Sequence, residues 1–142
     1  MLRVNYVLAL KSKDVWTISP DAPVLDAIRL MAERGIGALP VVQGAELVGI
    51  VSERDYARKV FLLGRSSAET PVRDIMSSPV VTISSDQAVH NCMEIMTDQR
   101  IRHLPVVEKG RLIGMISIGD IVKAVMEEQQ QTIAQLERYI AS

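Results

Sequence analysis

The pattern of hydrophobic and polar positions occurs twice along the chain. Shifting the sequence by 65 residues places residues 15–60 on residues 80–125 without a gap, and 17 of the 46 aligned positions are identical. A gapless match of this length indicates an internal duplication. Because two copies are too few for a solenoid, we expect a pair related by pseudo-twofold symmetry that buries a face between the copies.

Each copy predicts the order strand, helix, strand, strand, helix. A short extended segment ends at Thr17–Ile18 or Thr82–Ile83, and the next helix, which Gly35 is predicted to end in the first copy, has apolar residues at helical spacing. Two apolar runs around a glycine-containing loop predict a β-hairpin, and a second helix follows. The predicted fold is α+β (mixed α/β): a tandem pair of β-α-β-β-α modules with small mixed sheets packed between helices.

Composition shifts predict the module boundaries. Residues 5–65 form the first module, the polar, turn-rich residues 66–71 the linker, and residues 72–128 the second module. Residues 129–142 form a helical tail that carries Ile133, Leu136 and Ile140 on one stripe. Such a stripe suits a helix that packs on its own module or across a dimer.

The composition excludes several classes of protein. Apolar residues make up 48 %, charged residues 23 % and aromatic residues 4 %, with a net charge of −1, which argues against disorder and against a basic nucleic-acid binder. No apolar run approaches a membrane span, and the N-terminus does not resemble a secretory signal. The single cysteine, Cys92, and the two histidines, His90 and His103, match no metal-ligand spacing. We therefore expect a cytoplasmic protein without a metal.

Two duplicated motifs identify a family resemblance. Glycine, a hydrophobic residue, any residue, serine, two further residues and aspartate occur at Gly49–Asp55 and Gly114–Asp120. A hydrophobic residue followed by Pro-Val-Val occurs at Leu39–Val42 and Leu104–Val107. With both motifs in both copies, the chain resembles a stand-alone pair of CBS domains, the module of cystathionine β-synthase. The resemblance implies a pseudo-symmetric pair, commonly dimeric, whose clefts bind AMP, ADP, ATP or NAD, with S-adenosylmethionine ranked below them.

The serine and aspartate of the longer motif have two possible roles. A helix N-terminus offers unpaired N–H groups to an anion, and a carboxylate in its first turn can accept hydrogen bonds from ribose hydroxyls. The same spacing, Ser52 to Asp55 and Ser117 to Asp120, is also that of a helix capping box. The motif alone leaves both roles open, and the family resemblance favours ribose binding.

The resemblance also implies which residues would contact each ligand, with both copies contributing to each cleft. Backbone near Thr17–Ile18 or Thr82–Ile83 would bind the adenine edge, and Leu39–Pro40 or Leu104–Pro105 would sandwich the ring. The first cleft would combine Thr82, Gln87, Arg102 and His103 with Ser52, Arg54 and Asp55, and the second Thr17, Ala22, Gly37 and Ala38 with Ser117, Gly119 and Asp120.

The two predicted clefts differ in charge. The first contains Arg54, Arg102 and His103, whereas the second has glycine or alanine at the matching positions. Because guanidinium groups pair well with phosphate, the first cleft is expected to hold the phosphates more tightly. The alternative is that the arginines are solvated surface charges.

These features favour a regulatory protein that senses energy or redox state by binding an adenine nucleotide. The ligand would bias the packing of the copies and signal to a regulated protein, not identified by the sequence, and the chain is expected to form a homodimer without nucleic-acid or membrane partners. The alternative is a CBS-fold scaffold that has lost nucleotide binding. An enzyme is disfavoured, since no catalytic constellation or phosphate-binding glycine loop is present.

Overall fold

The computed structural model describes residues 1–141, in which we assign five α-helices and four β-strands. The helices are α1 (Val4–Ala9), α2 (Val24–Arg34), α3 (Glu53–Tyr56), α4 (Val89–Gln99) and α5 (Ile118–Ala141). The strands are β1 (Ala38–Gln43), β2 (Glu46–Ser52), β3 (His103–Glu108) and β4 (Arg111–Ser117). A π-helical turn, Ala57–Phe61, continues α3, and a 3-10 turn covers Val72–Asp74. Ser142, the last residue of the predicted tail, lies outside the described residues.

The predicted mixed α/β class is confirmed. Strands β1 and β2 form one two-stranded hairpin and β3 and β4 form another. The first predicted strand of each copy is reduced to a single parallel bridge, Ile18 to Val41 and Ile83 to Val106. In the first copy the turn residue Ser19 and the ring of Pro20, which has no N–H, end the extended segment after one pairing residue.

The chain divides into two compact units, each built mainly from one sequence repeat together with a segment from outside that repeat. Within the described residues, unit 1 comprises residues 1–14, 82–108 and 114–141, and unit 2 comprises residues 15–81 and 109–113. The N-terminal residues Val4 and Val7 are buried in the core of unit 1, which is built mainly from the second repeat. Val72 and Ile75, which follow the linker, are buried in the core of unit 2, which is built from the first repeat.

The two equivalent helices α2 and α4 end in the same conformation with different residues. Gly35 caps α2 in the left-handed region (φ 63°), as predicted, and Arg100 caps α4 in the same region (φ 54°). The predicted second helix of the second copy and the predicted tail form one continuous helix, α5. Neither glycine nor proline occurs after Gly119, so no residue interrupts it. Within residues 1–141, no helix is long and apolar enough to cross a membrane.

Candidate functional site

The segment Ser52–Asp55 folds as a capping box where β2 enters α3. The Asp55 N–H donates to Ser52 Oγ (3.1 Å), and the Ser52 N–H donates back to Asp55 Oδ2 (2.9 Å). The Ser52 hydroxyl donates to the same carboxylate oxygen (3.0 Å). The side chain of Asp55 is thereby fixed at the start of a helix, where the partial positive charge of the helix favours an anion.

The segment Ser117–Asp120 repeats this geometry where β4 enters α5. The Asp120 N–H donates to Ser117 Oγ (3.1 Å), and the Ser117 N–H donates to Asp120 Oδ2 (2.8 Å). The capping role that the sequence left open is therefore present in both copies. We call Ser52–Asp55 and Ser117–Asp120 the Ser–Asp turns. Capping uses Oδ2 of each aspartate, and a carboxylate has about four lone-pair sites, so capping does not exclude a ligand.

Each aspartate of the Ser–Asp turns also meets one lysine. Lys11 Nζ donates to Asp120 Oδ2 (2.7 Å) and to the carbonyl oxygen of Met115 (2.6 Å). In unit 2, Lys59 Nζ lies 3.4 Å from Asp55 Oδ1 and donates to the carbonyl oxygen of Ile75 (2.9 Å). Both carboxylates are therefore partly neutralised by an ammonium group that a neighbouring backbone carbonyl holds in place.

Lys11 is not indicated by the sequence pattern because it lies outside the repeat. The residue 65 positions after Lys11 is Met76, and the residue 65 positions after Lys59 is Ala124. The two copies therefore pair their aspartates with lysines from different places in the chain. Only the position of Lys59, four residues after Asp55 on one helical surface, gave a local signal for its pair.

The surroundings of Asp120 and His103 lower the pKa values of both side chains. Burial raises the pKa of Asp120, but the hydrogen bonds from Lys11 and Ser117 outweigh it and hold this pKa below its usual value. The pKa of His103 is lowered, first by burial, while Asp120 opposes this shift and Lys11 and Arg102 add to it. His103 is therefore neutral near pH 7, and the positive charge beside Asp120 comes from Lys11.

Unit 2 brings together the first-copy residues of the predicted site. Ile18 joins β1 through two backbone hydrogen bonds, from its N–H to Pro40 (3.1 Å) and from the Val42 N–H to its carbonyl (2.9 Å). The carbonyl of Gly37 accepts from the N–H of Glu53 (3.0 Å), which ties the start of β1 to the first Ser–Asp turn. Unit 2 holds half of the predicted site: Thr17, Ile18, Ala22, Gly37, Ala38, Leu39, Pro40, Ser52, Arg54 and Asp55.

Unit 1 repeats this arrangement with the second-copy residues. The Ile83 N–H donates to the carbonyl of Pro105 (3.1 Å), and the carbonyl of Arg102 accepts from the N–H of Ile118 (2.9 Å). Unit 1 therefore holds the other half of the predicted site: Thr82, Ile83, Gln87, Arg102, His103, Leu104, Pro105, Ser117, Gly119 and Asp120. The combination of these two halves into shared clefts stays a prediction.

The apolar residues predicted to sandwich an adenine ring have different surroundings from the polar ones. Leu39 and Leu104 are completely buried in the cores of their units. Thr17, Arg54 and Arg102 are exposed. Ring contact through the two leucines stays a prediction, and their burial gives both a structural role as well. Within residues 1–141, no group of three or more histidine, cysteine, aspartate or glutamate side chains could hold a metal ion.

Known proteins share both the sequence pattern and the fold. The family model for the CBS domain matches residues 7–61 and 72–127. A solved protein with CBS domains from Burkholderia ambifaria MC40-6 is 49 % identical, has a TM-score of 0.86, and is matched over 89 % of this chain and 96 % of its own. The solved CBS domain pair of protein MJ0100, in complex with 5-methylthioadenosine and S-adenosyl-L-methionine, shares the fold at 24 % identity and a TM-score of 0.79 over 90 % of this chain and 98 % of its own.

A curated relative supports the same assignment. The CBS domain-containing protein CBSX3, mitochondrial, from Arabidopsis thaliana is 43 % identical over an alignment of 131 residues that covers 89 % of this chain and 63 % of that protein. The chain thus spans just under two thirds of this relative's length. The residues that the family model matches include both hairpins and both Ser–Asp turns, and the predicted family resemblance is confirmed. The chain belongs to the CBS domain family.

Proposed function

We propose that the chain is a regulatory protein whose two Ser–Asp turns bind the ribose of adenine nucleotides. The observation that supports this most directly is the duplicated geometry of Asp55 and Asp120. Each carboxylate is held at a helix start by its serine and is paired with one lysine. A carboxylate that accepts from ribose hydroxyls, next to an ammonium that attracts phosphate, recognises the two polar parts of a nucleotide.

Membership of the family supports an adenosine-containing ligand, but it does not select one particular compound. The MJ0100 domain pair binds two adenosine derivatives, S-adenosyl-L-methionine and 5-methylthioadenosine. For the present chain we propose AMP, ADP, ATP or NAD, since Lys11, Lys59 and the exposed arginines Arg54 and Arg102 favour a ligand with phosphates. Signalling to a separate regulated protein and a cytoplasmic location are further parts of the proposal.

The Ser–Asp turns give a direct test by substitution. We expect Asp120→Asn and Asp55→Asn each to weaken binding of AMP at their own site by roughly 10- to 100-fold, since a hydrogen bond to a charged group is lost. Isothermal titration of nucleotide-free protein measures this, and circular dichroism checks the fold. Asp98→Asn, which changes an exposed aspartate on α4, is the matched control. Unchanged AMP binding in the double variant D55N/D120N would show that the two aspartates cap their helices and do not bind the ribose.

A further inference from the structure

Lys11 brings a positive charge to the second Ser–Asp turn from outside the repeat. Its Nζ donates to Asp120 Oδ2 (2.7 Å) and to the carbonyl oxygen of Met115 (2.6 Å). The residue before Asp120 is Gly119, whereas the matching residue before Asp55 in the first copy is an arginine. The motif of the second copy contains no lysine or arginine, so the cation that contacts its aspartate comes from the N-terminal segment.

The ammonium group of Lys11 is held in place and can still contact a ligand. An ammonium has three N–H donors, and Asp120 and Met115 accept from two of them. The third donor makes no hydrogen bond within residues 1–141, and the side chain of Lys11 is 33 % exposed. A ligand at Asp120 therefore meets a positive charge whose position is fixed before binding, and it does not have to displace that charge.

His103 and Arg102 complete the charged surroundings of Asp120. The charges of Asp120, Lys11 and Arg102 all act on the pKa of the histidine, so these groups lie close together. The histidine is neutral near pH 7, and Arg102 is exposed and has the same sign of charge as Lys11. One carboxylate and two cations remain, and their sum is positive.

The charge of a ligand decides how Lys11 affects its binding. Without Lys11, the carboxylate of Asp120 would repel a phosphate and attract a cationic group. The ammonium 2.7 Å from Asp120 cancels most of this field, and its third donor adds a charge-assisted hydrogen bond to a phosphate. An uncharged group beside the ribose gains little from either effect. A cationic group loses the attraction of the carboxylate and is repelled by the ammonium.

We propose that Lys11 is a specificity-determining residue that makes the Asp120 turn select adenosine ligands with a phosphate over neutral and cationic ones. This inference rests on the proposed function, because it requires that Asp120 binds ribose. It goes further by assigning the choice of ligand at this turn to one residue outside both repeats. It also disfavours S-adenosylmethionine, whose sulfonium group is a cation, at this turn.

Three ligands that differ at the 5′ carbon of the same adenosine test the proposal. AMP carries a phosphate there, 5-methylthioadenosine an uncharged thioether, and S-adenosylmethionine a sulfonium. Isothermal titration of nucleotide-free Asp55→Asn reports on the second turn alone. In this background we expect Lys11→Met to weaken AMP about ten-fold, to strengthen S-adenosylmethionine about five-fold and to change 5-methylthioadenosine by less than about three-fold. The changes should shrink at high salt, which screens partly exposed charges.

Two control variants separate the charge of Lys11 from its packing. Lys11→Arg keeps the charge and should preserve the order of the three affinities, and Lys13→Met removes an exposed lysine two residues later and should change none of them. Circular dichroism checks the fold of each variant. A Lys11→Met variant that weakens all three ligands equally, or none, would overturn the proposal and leave the proposed function standing.

The same titrations separate the failure of this inference from the failure of the proposed function. If wild type binds AMP and Asp55→Asn binds none of the three ligands, the Asp120 turn is not a ligand site and the inference is overturned alone. If wild type also binds no adenine ligand, the proposed function fails together with it.

Discussion

The pair formed by Lys11 and Asp120 links a single carboxylate to the pH dependence of stability. The pKa of Asp120 is below its usual value in the folded chain, so its contribution to stability is present above the unfolded pKa and is lost as the pH falls through the folded pKa. Lys11→Met removes the main cause of this lowering and leaves the burial that opposes it. The pKa of Asp120 should therefore rise.

The expected result of Lys11→Met is a pH-dependent loss of melting temperature. The difference from wild type should be widest above about pH 5 and should close as Asp120 becomes protonated in acid. Melting curves across this range and an NMR titration of the Asp120 carboxyl group measure the two effects. Lys13→Met, at an exposed lysine two residues later, is the control. A constant difference at all pH values would mean that Lys11 acts through packing and not through Asp120.

The caps of α2 and α4 give a prediction at single residues. Arg100 holds a left-handed conformation that costs an L-residue about 1 kcal/mol relative to glycine. Arg100→Gly should therefore stabilise the chain by about 0.5–1 kcal/mol, and Gly35→Ala, where no atom lies within 4 Å of the added Cβ, should destabilise it by about 1 kcal/mol. Urea unfolding at pH 7 measures both. If Arg100→Gly instead destabilises the chain, the contacts of the arginine side chain stabilise the fold by more than the left-handed backbone conformation costs.

The sequence predicted the residues of the repeated motifs better than their partners. Ser52 and Asp55, and their counterparts in the second copy, were predicted because a cap and a ribose-binding carboxylate require the same local spacing. Lys11 could not be predicted in this way. It reaches Asp120 across 109 residues of chain and has no equivalent in the second copy, so neither local spacing nor the repeat indicates it.

At the scale of elements, one strand of each hairpin contacts a short segment of chain from outside its own repeat. A Cβ at Gly49 of β2 would lie 2.5 Å from Met76 Sδ and 3.1 Å from the backbone oxygen of Ser77. A Cβ at Gly114 of β4 would lie 2.7 Å from Leu8 Cδ2. The motif glycines therefore let a neighbouring segment approach the strand closely, which is a role independent of any ligand.

These two close approaches predict unequal effects. Gly49→Ala should cost about 1–3 kcal/mol, because the Ser77 backbone cannot move as readily as a side chain. Gly114→Ala should cost less, because the nearest atoms are those of Leu8, a side chain that can change rotamer. Urea unfolding of the two variants compares them. If both variants lose the same free energy of unfolding, the difference between a backbone neighbour and a side-chain neighbour has no effect, and the strands themselves shift to accommodate the methyl group.

The elements themselves were largely predictable, and their packing was not. Two apolar runs on either side of a short loop, which contains Gly44 in the first copy and Gly110 in the second, are sufficient to predict hairpins. The packing of residues 1–14 with the second repeat, and of residues 72–76 with the first, depends on long-range contacts that no local pattern records. The fusion of the predicted tail with the preceding helix was missed as well, although the absence of a breaker after Gly119 was a signal for it.

At the scale of the whole molecule, the chain consists of two units with separate cores, each carrying one Ser–Asp turn. The near-zero net charge is compatible with binding an anion because Lys11 and Lys59 lie next to the two carboxylates. Binding of a nucleotide to the folded state alone should also raise the melting temperature in proportion to the logarithm of ligand concentration. A scaffold without a nucleotide site would show no such increase.

The most direct test is a calorimetric titration of the full chain after removal of any copurified nucleotide by reversible unfolding. AMP, ATP, NAD and S-adenosylmethionine are added in separate experiments, with GMP as the control for the base. We expect saturable heat from at least one of the adenine ligands with phosphates, no comparable heat from GMP, and loss of that heat in D55N/D120N. The absence of binding by all four adenine ligands, with refolding verified by circular dichroism, would contradict nucleotide binding and favour a CBS-fold scaffold.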